Sequence, residues 1–160
     1  MEIFYKLRNE SNEDEIIEYL KSNNLDINLV DEDNYNMLMV AVSRELFNVS
    51  KYLISKGINI NHQNNKGLSI LHIIAYNYDE DLLIEILNNN ADLSLEDNYG
   101  NIALWTSIMN DKGFGVRLFM IDSLVKYGAD VNHLNNVNKS PLIISKSLGY
   151  SNIINVLEKS

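Results

Sequence analysis

The stretch Gly128-Ala129-Asp130-Val131-Asn132 occurs in related form three more times along the chain. The other copies are Asn24-Leu25-Asp26-Ile27-Asn28, Gly57-Ile58-Asn59-Ile60-Asn61 and Asn90-Ala91-Asp92-Leu93-Ser94, so the four copies lie 33, 33 and 38 residues apart. Each copy begins with Gly or Asn, which tolerate the left-handed conformation that ends a helix. Apolar residues at helical spacing precede each copy. The pattern predicts an amphipathic helix that stops at each of these positions.

A second repeated position lies between these copies. Leucines recur at the same three spacings, as Leu38, Leu71, Leu104 and Leu142, and seven positions before them come Asp31, Asn64, Asp97 and Asn135. Ser69 and Ser140 lie where a helix N-cap is needed, and Pro141 follows at the first helical position. In the third copy we expect Asn101 to be the cap. Each unit thus predicts a turn, a short helix, a second helix and an extended connector, and such units must stack to bury their apolar faces.

The segments Gly128–Asn132, Ser69–His72 and Ser140–Leu142 resemble the ankyrin repeat, whose pattern includes Thr-Pro-Leu-His and Gly-Ala-Asp-Val-Asn. The resemblance covers the whole chain. It implies an all-α, ankyrin-type helix-turn-helix solenoid with about nine or ten helices. We expect one ankyrin repeat domain over residues 1–160, made of an N-terminal cap plus four repeat units. The expected boundaries are 1–29 for the cap, then 30–61, 62–94, 95–132 and 133–160, the last unit being the C-terminal cap.

Composition limits where the protein works. The 160-residue chain has no cysteine, and no apolar run approaches the roughly 18 residues of a membrane span. The N-terminus lacks the apolar segment of a signal peptide. We therefore expect a cytoplasmic protein that does not enter a membrane, with export by a non-classical route left open.

The charge is −9 and unevenly distributed. Residues 1–33 carry ten acidic and three basic side chains, a net charge of −7, and residues 67–99 carry seven acidic and no basic side chains, again −7. This surface repels nucleic-acid backbones and attracts basic proteins. The partner that we expect is another protein, with a basic one favoured by this charge, and no nucleic acid.

No constellation of residues indicates catalysis, a cofactor or a metal. His72 matches the histidine of the family pattern, for which the resemblance implies hydrogen bonds between neighbouring turns. His62 and His133 are two units apart, about 20 Å at the usual helix spacing, and so cannot share a metal ion. The acidic runs 13–15 and 79–81 precede second helices, where carboxylates stabilise the helix dipole. We expect a protein that is not an enzyme and has no cofactor.

The resemblance implies a concave groove made of connector tips and the exposed side of each first helix. The protein-binding residues predicted from the register are Glu32, Asp33, Tyr35, Lys66, Leu68, Tyr76, Asn98, Tyr99, Asn101, Trp105 and Met109. Exposed aromatic side chains are frequent anchors of protein interfaces. The alternative for Trp105 is that it packs at the edge of the core. The alternative for the acidic residues at the first tip is that they are simply exposed to solvent.

The resulting hypothesis is a monomeric, stand-alone protein–protein interaction module. The alternatives are an acidic inhibitor or immunity-type protein that neutralises a basic toxin or enzyme, a secreted microbial effector or adaptor acting on host proteins, and self-assembly through the ends of the solenoid. The fourth copy also carries five extra residues around 110–115. This insertion is either a neutral surface loop, a second contact site or a contact between copies in an oligomer.

Overall fold

Short amphipathic helices form the framework of the computed structural model, which describes residues 2–159. Within that range there are ten α-helices: α1 (Glu2–Asn9), α2 (Glu13–Ser22), α3 (Met37–Ser43), α4 (Phe47–Ser55), α5 (Ile70–Ile74), α6 (Glu80–Asn88), α7 (Ala103–Asp111), α8 (Leu118–Lys126), α9 (Pro141–Leu148) and α10 (Ser151–Leu157). Extended pairing among these residues is limited to an isolated bridge between Val30 and Asn36. The all-α prediction is confirmed. None of the described helices is long and apolar enough to cross a bilayer.

The helices form two parallel rows. The odd-numbered helices, here called first helices, pack side by side, and the even-numbered second helices pack behind them. The repeated leucines fill the space between neighbouring helix pairs: Leu38, Leu71 and Leu104 are at most 1% exposed. Leu142 is only partly buried, since the α9–α10 pair has a described neighbour on one side only. Each pair completes the core of the next, as a repeat solenoid requires.

The predicted helix starts are partly correct. Ser140 caps α9 by accepting a hydrogen bond from the Ile143 N–H at 3.1 Å, and Pro141 is the first helical residue. Ser69 precedes α5 as expected. The prediction that Asn101 caps α7 is wrong: Ile102 occupies the cap position, without a side-chain hydrogen bond. The Asn101 amide instead donates to Asp97 Oδ2 at 3.1 Å, because it belongs to the preceding turn.

Three of the four predicted helix ends have the expected geometry. Gly57, Asn90 and Gly128 adopt left-handed conformations, with φ of 79°, 60° and 101°. Asn24 does not, which contradicts the prediction for the first copy. There α2 ends at Ser22, and both the backbone N–H and the side-chain amide of Asn23 donate to the Tyr19 carbonyl, at 3.1 and 2.9 Å. A side chain thus caps this helix where the other three use left-handed backbone.

Candidate protein-binding groove

One side-chain oxygen holds each connector tip in place. The residue seven positions before each repeated leucine accepts hydrogen bonds from the backbone N–H groups two and four positions later, at 2.8–3.1 Å. These anchors are Asp31, Asn64, Asp97 and Asn135. Local bonds of this kind are what Asp and Asn contribute to turns. The recurrence of these two residues along the sequence is therefore a requirement of the turn.

A left-handed residue completes each of these turns. Asn34, Gly67, Gly100 and Asn138 have φ between 55° and 75°. At Gly67 a Cβ atom would lie 2.9 Å from Asp97 Cα, and at Gly100 it would lie 2.9 Å from the Asn136 backbone nitrogen. Glycine is needed at these two positions for its conformation and also because the next connector packs so closely.

Asparagine residues join each connector to the next. The backbone N–H groups of Asn65, Asn98 and Asn136 donate to Asp33, Lys66 and Tyr99 carbonyls at 3.2, 3.0 and 3.0 Å. The side-chain amides of Asn98 and Asn136 add bonds to the preceding connector, at 3.1 and 3.3 Å. The tips therefore form one continuous, hydrogen-bonded edge. Part of the abundant asparagine of this chain serves that purpose.

His72 ties two helix pairs together from inside the core. Its ring is completely buried. The Ser69 N–H donates to Nδ1 at 3.1 Å, which leaves Nε2 to donate to the Asn101 carbonyl at 3.0 Å. Burial lowers the pKa of the imidazole, so the neutral ring is the favoured form. The structural role that the resemblance implied for His72 is confirmed.

Two adjoining clefts lie between the connector tips and the first helices. The larger is lined by Tyr35, Ser43, Lys66, Leu68, Ile73, Tyr76, Asn77, Asp97 and Tyr99. The other is lined by Arg8, Asp33, Tyr35, Val40, Ser43 and Arg44. Tyr35 and Ser43 border both, so the two form one surface, here called the tip groove. Two of its aromatic side chains are open to solvent: Tyr99 is 75% exposed and Tyr76 is 56% exposed.

Comparison with known proteins agrees with this architecture. A family model described as ankyrin repeats in three copies matches residues 7–64 and 47–135. The chain belongs to the ankyrin-repeat family. It is 31% identical over 130 residues to the putative ankyrin repeat protein FPV031 of Fowlpox virus (strain NVSL), a match that covers 79% of this chain and 36% of the relative. Over 71 residues it is 30% identical to the putative ankyrin repeat protein FPV034 of the same virus, covering 44% of this chain and 17% of that protein. The chain thus spans about a third or less of the length of these relatives.

The ankyrin fold brings some of the predicted contact residues together and separates others. Tyr35, Lys66, Leu68, Tyr76 and Tyr99 line one cleft, with Asp33 beside them. Met109 is exposed on α7, one unit beyond Tyr76 in the same register. Glu32 lines a neighbouring cleft at the α1 end of the solenoid, which borders the tip groove at Arg8 and Asp33.

Three predicted residues occupy positions less suited to a partner. The Asn98 and Asn101 side chains make hydrogen bonds within the connector edge. Trp105 is half-buried at the position that His72 occupies one repeat earlier. The sequence reasoning also missed a groove residue, Arg8. No repeat signal points to Arg8, because α1 does not carry the repeated leucine that sets the register of the later first helices.

The acidic runs of this ankyrin chain lie mainly behind the groove. In α2, the Glu13 carboxylate accepts from the Val49 N–H and from the Asn48 amide, both at 2.9 Å, and so caps the start of α4. Asp79 caps α6 through the Leu82 N–H at 2.8 Å. Both uses satisfy free N–H groups at a helix start. Asp79 does so for the helix that follows its run, as the sequence predicted, and residues 13–15 form the first turn of α2 as predicted, but the helix that Glu13 caps is the neighbouring α4. The groove itself carries both signs of charge.

Proposed function

We propose that this ankyrin-repeat chain binds a segment of a partner protein in the tip groove. Ankyrin repeats are protein-interaction modules, and the observation that carries the choice of surface is the exposure of Tyr76 and Tyr99 on one cleft. Tyrosine combines a large apolar face with a hydroxyl, and such residues dominate the energy of many interfaces. Tyr35 and Leu68 supply the half-buried floor between them.

Recognition in the groove proceeds through side chains. The backbone N–H groups along the connector edge are already bonded, either to the turn anchors or to the preceding connector. A partner strand added to this edge would find few free donors, so pairing of the kind that extends a β-sheet is disfavoured. The partner therefore presents apolar side chains that fit between the tyrosine rings.

Charge selects among partners. Asp31 is paired with Arg8, and it and Asp97 are engaged as turn anchors. The exposed acids at the connector tips are Glu32, Asp33 and Glu96, and the Glu96 carboxylate lies 3.3 Å from His133 Nε2. Together with the acidic second helices they favour a partner of net positive charge. Such steering raises the association rate and weakens with added salt.

The biological role that we favour is an adaptor that engages host proteins. The observation behind this choice is that both relatives are proteins of a virus. An inhibitor of a basic toxin or enzyme is the second candidate, and the net charge of −9 favours it. The two differ in outcome: an inhibitor abolishes the activity of its bound partner, whereas an adaptor leaves that activity intact and adds a further protein to the complex.

Affinity capture with matched variants tests the groove. The wild-type chain, a Tyr76→Ala/Tyr99→Ala variant and a Tyr127→Ala control are immobilised, and bound proteins are quantified by mass spectrometry. Tyr127 is an exposed tyrosine on the second-helix side, where its hydroxyl reaches Asn88. We expect a partner that the wild type and the control retain and the groove variant loses. Equal retention by all three proteins would show that the groove is not the binding surface.

A further inference from the structure

The five-residue insertion of the fourth helix pair forms a fixed loop between α7 and α8. Asp111 is completely buried at its base. One carboxylate oxygen accepts from the Gly115 N–H at 2.8 Å, and the other accepts from the Arg117 N–H at 2.6 Å. Charge-assisted bonds of this length are strong. The insertion loop, residues 112–117, is therefore held in one shape by the residue that precedes it.

Contacts to both neighbouring helix pairs fix the loop further. The Arg117 guanidinium donates to the carbonyls of Ala75 and Tyr76, at 2.9 and 3.1 Å, at the end of α5. On the other side the Asn152 amide donates to the Gly113 carbonyl at 3.2 Å. A Cβ atom on Gly113 would lie 2.6 Å from the Tyr150 ring, so the loop packs tightly there. These contacts on both sides distinguish the loop from a neutral surface insertion.

The fixed loop displays apolar side chains. Phe114 is 80% exposed, Val116 is 60% exposed, and Phe119 at the start of α8 is 44% exposed. These three residues, here called the insertion patch, lie at the opposite end of α7 from the connector tips. Clusters of exposed apolar residues commonly mark sites of protein contact.

Acidic residues border the insertion patch. Helices α6 and α8 lie side by side, and their repeat register places Asp81 next to Phe119, with Glu80 before it. Both acids are exposed. Of the two basic residues on the loop, Arg117 keeps its positive charge but directs its guanidinium to the carbonyls of Ala75 and Tyr76 at the end of α5. Lys112 is the exposed base that remains on the loop.

We propose that the insertion patch is a second docking site, which takes an apolar side chain flanked by Lys or Arg from a partner protein. The apolar side chain packs against Phe114 and Val116, and the basic neighbour faces Glu80 and Asp81. Because the loop is fixed before binding, little conformational entropy is lost when a partner docks. This site is separate from the tip groove and does not depend on it.

Selection of random displayed peptides on the immobilised protein tests this site. The supporting result is enrichment of peptides with an apolar residue beside Lys or Arg, whose binding shifts the amide NMR signals of residues 112–119. Phe114→Ser/Val116→Ser should weaken such a peptide by about tenfold or more. Glu80→Gln/Asp81→Asn should weaken it less, whereas Tyr76→Ala/Tyr99→Ala should leave it unchanged. An unaltered urea midpoint shows that each variant remains folded.

Four results would overturn the proposal. The first is selection of acidic or uncharged peptides, and the second is failure to enrich any peptide. The third is a selected peptide that binds the Phe114→Ser/Val116→Ser variant as well as the wild type. The fourth is NMR signal shifts that are confined to the tip groove. Self-association of the free protein that the same variant abolishes would assign the patch to a second copy of the chain, and would equally reject the proposed partner.

Discussion

At the residue scale, one side-chain oxygen of each turn anchor holds a connector in shape. Asn64 offers a direct test of this role. Its Oδ1 accepts from the Lys66 and Leu68 N–H groups, while Nδ2 is buried without a hydrogen-bond partner among residues 2–159. We predict that Asn64→Ala lowers the free energy of unfolding by about 1–3 kcal/mol, because two N–H groups lose their acceptor. Asn64→Asp should cost less, since Asp31 and Asp97 fill the same role. Urea unfolding measures both, and a change below about 0.5 kcal/mol for Asn64→Ala would contradict the anchor role.

The repeated leucines test the packing between helix pairs. Leu71 and Leu104 are each 1% exposed and lie in internal pairs. Leu71→Ala and Leu104→Ala should each reduce the free energy of unfolding by about 2–5 kcal/mol, as truncation of buried leucines does. Leu134, which is 53% exposed, is the matched control, and Leu134→Ala should change stability by less than about 0.5 kcal/mol. Similar values for all three variants would show that the helix register is wrong.

His72 makes stability depend on pH. Burial lowers its pKa in the folded protein below the value of about 6.5 expected in the unfolded chain. Between these two values the unfolded chain binds more protons, so stability is complete above about pH 6.5 and falls as the pH drops below it. We predict that wild type loses more stability than His72→Gln between about pH 7.5 and about pH 5.5. Urea midpoints that change equally in both proteins would rule out this contribution.

At the scale of elements, the insertion loop depends on Asp111. Asp111→Ala removes the acceptor of two backbone N–H groups, at Gly115 and Arg117, and should cost about 1–3 kcal/mol of stability. The larger effect should be local: amide hydrogen exchange over residues 112–117 should become faster. Phe114→Ser, in the same loop, changes only an exposed side chain and should leave exchange and stability unaltered. Equal exchange in wild type and Asp111→Ala would mean that other contacts hold the loop.

Element boundaries could be predicted where one residue type has one local role. Ser69, Ser140 and Pro141 precede or begin helices as expected, since capping depends on the adjacent backbone alone. Asn101 and Asn24 were predicted wrongly. An asparagine side chain can either cap a helix or stabilise a turn. Asn101 stabilises the turn, because its amide donates to Asp97. Those contacts come from folding and are invisible in a local pattern.

On the scale of the whole molecule, the period of the sequence was sufficient to predict the stacked all-α architecture. The composition of the groove was harder to predict. Tyr35, Tyr76 and Tyr99 follow from register, because each occupies a connector-tip or groove-side position of its own unit. Arg8 enters the groove from α1, which lacks the repeat pattern, and the engagement of Asn98 depends on bonds between connectors. Periodicity specifies which positions face each other, but not which side chains are already bonded.

The kinetics of partner binding test the central claim, that the tip groove binds a protein. The measurement is surface plasmon resonance of the captured partner on wild type, Tyr99→Ala and the Tyr127→Ala control. Tyr99→Ala should accelerate dissociation and weaken binding by more than about 1 kcal/mol, because an anchor residue acts mainly on the dissociation rate. The control should match the wild type. Unchanged dissociation for Tyr99→Ala, with loss of binding for Phe114→Ser/Val116→Ser, would contradict the claim and place the main binding surface at the insertion loop.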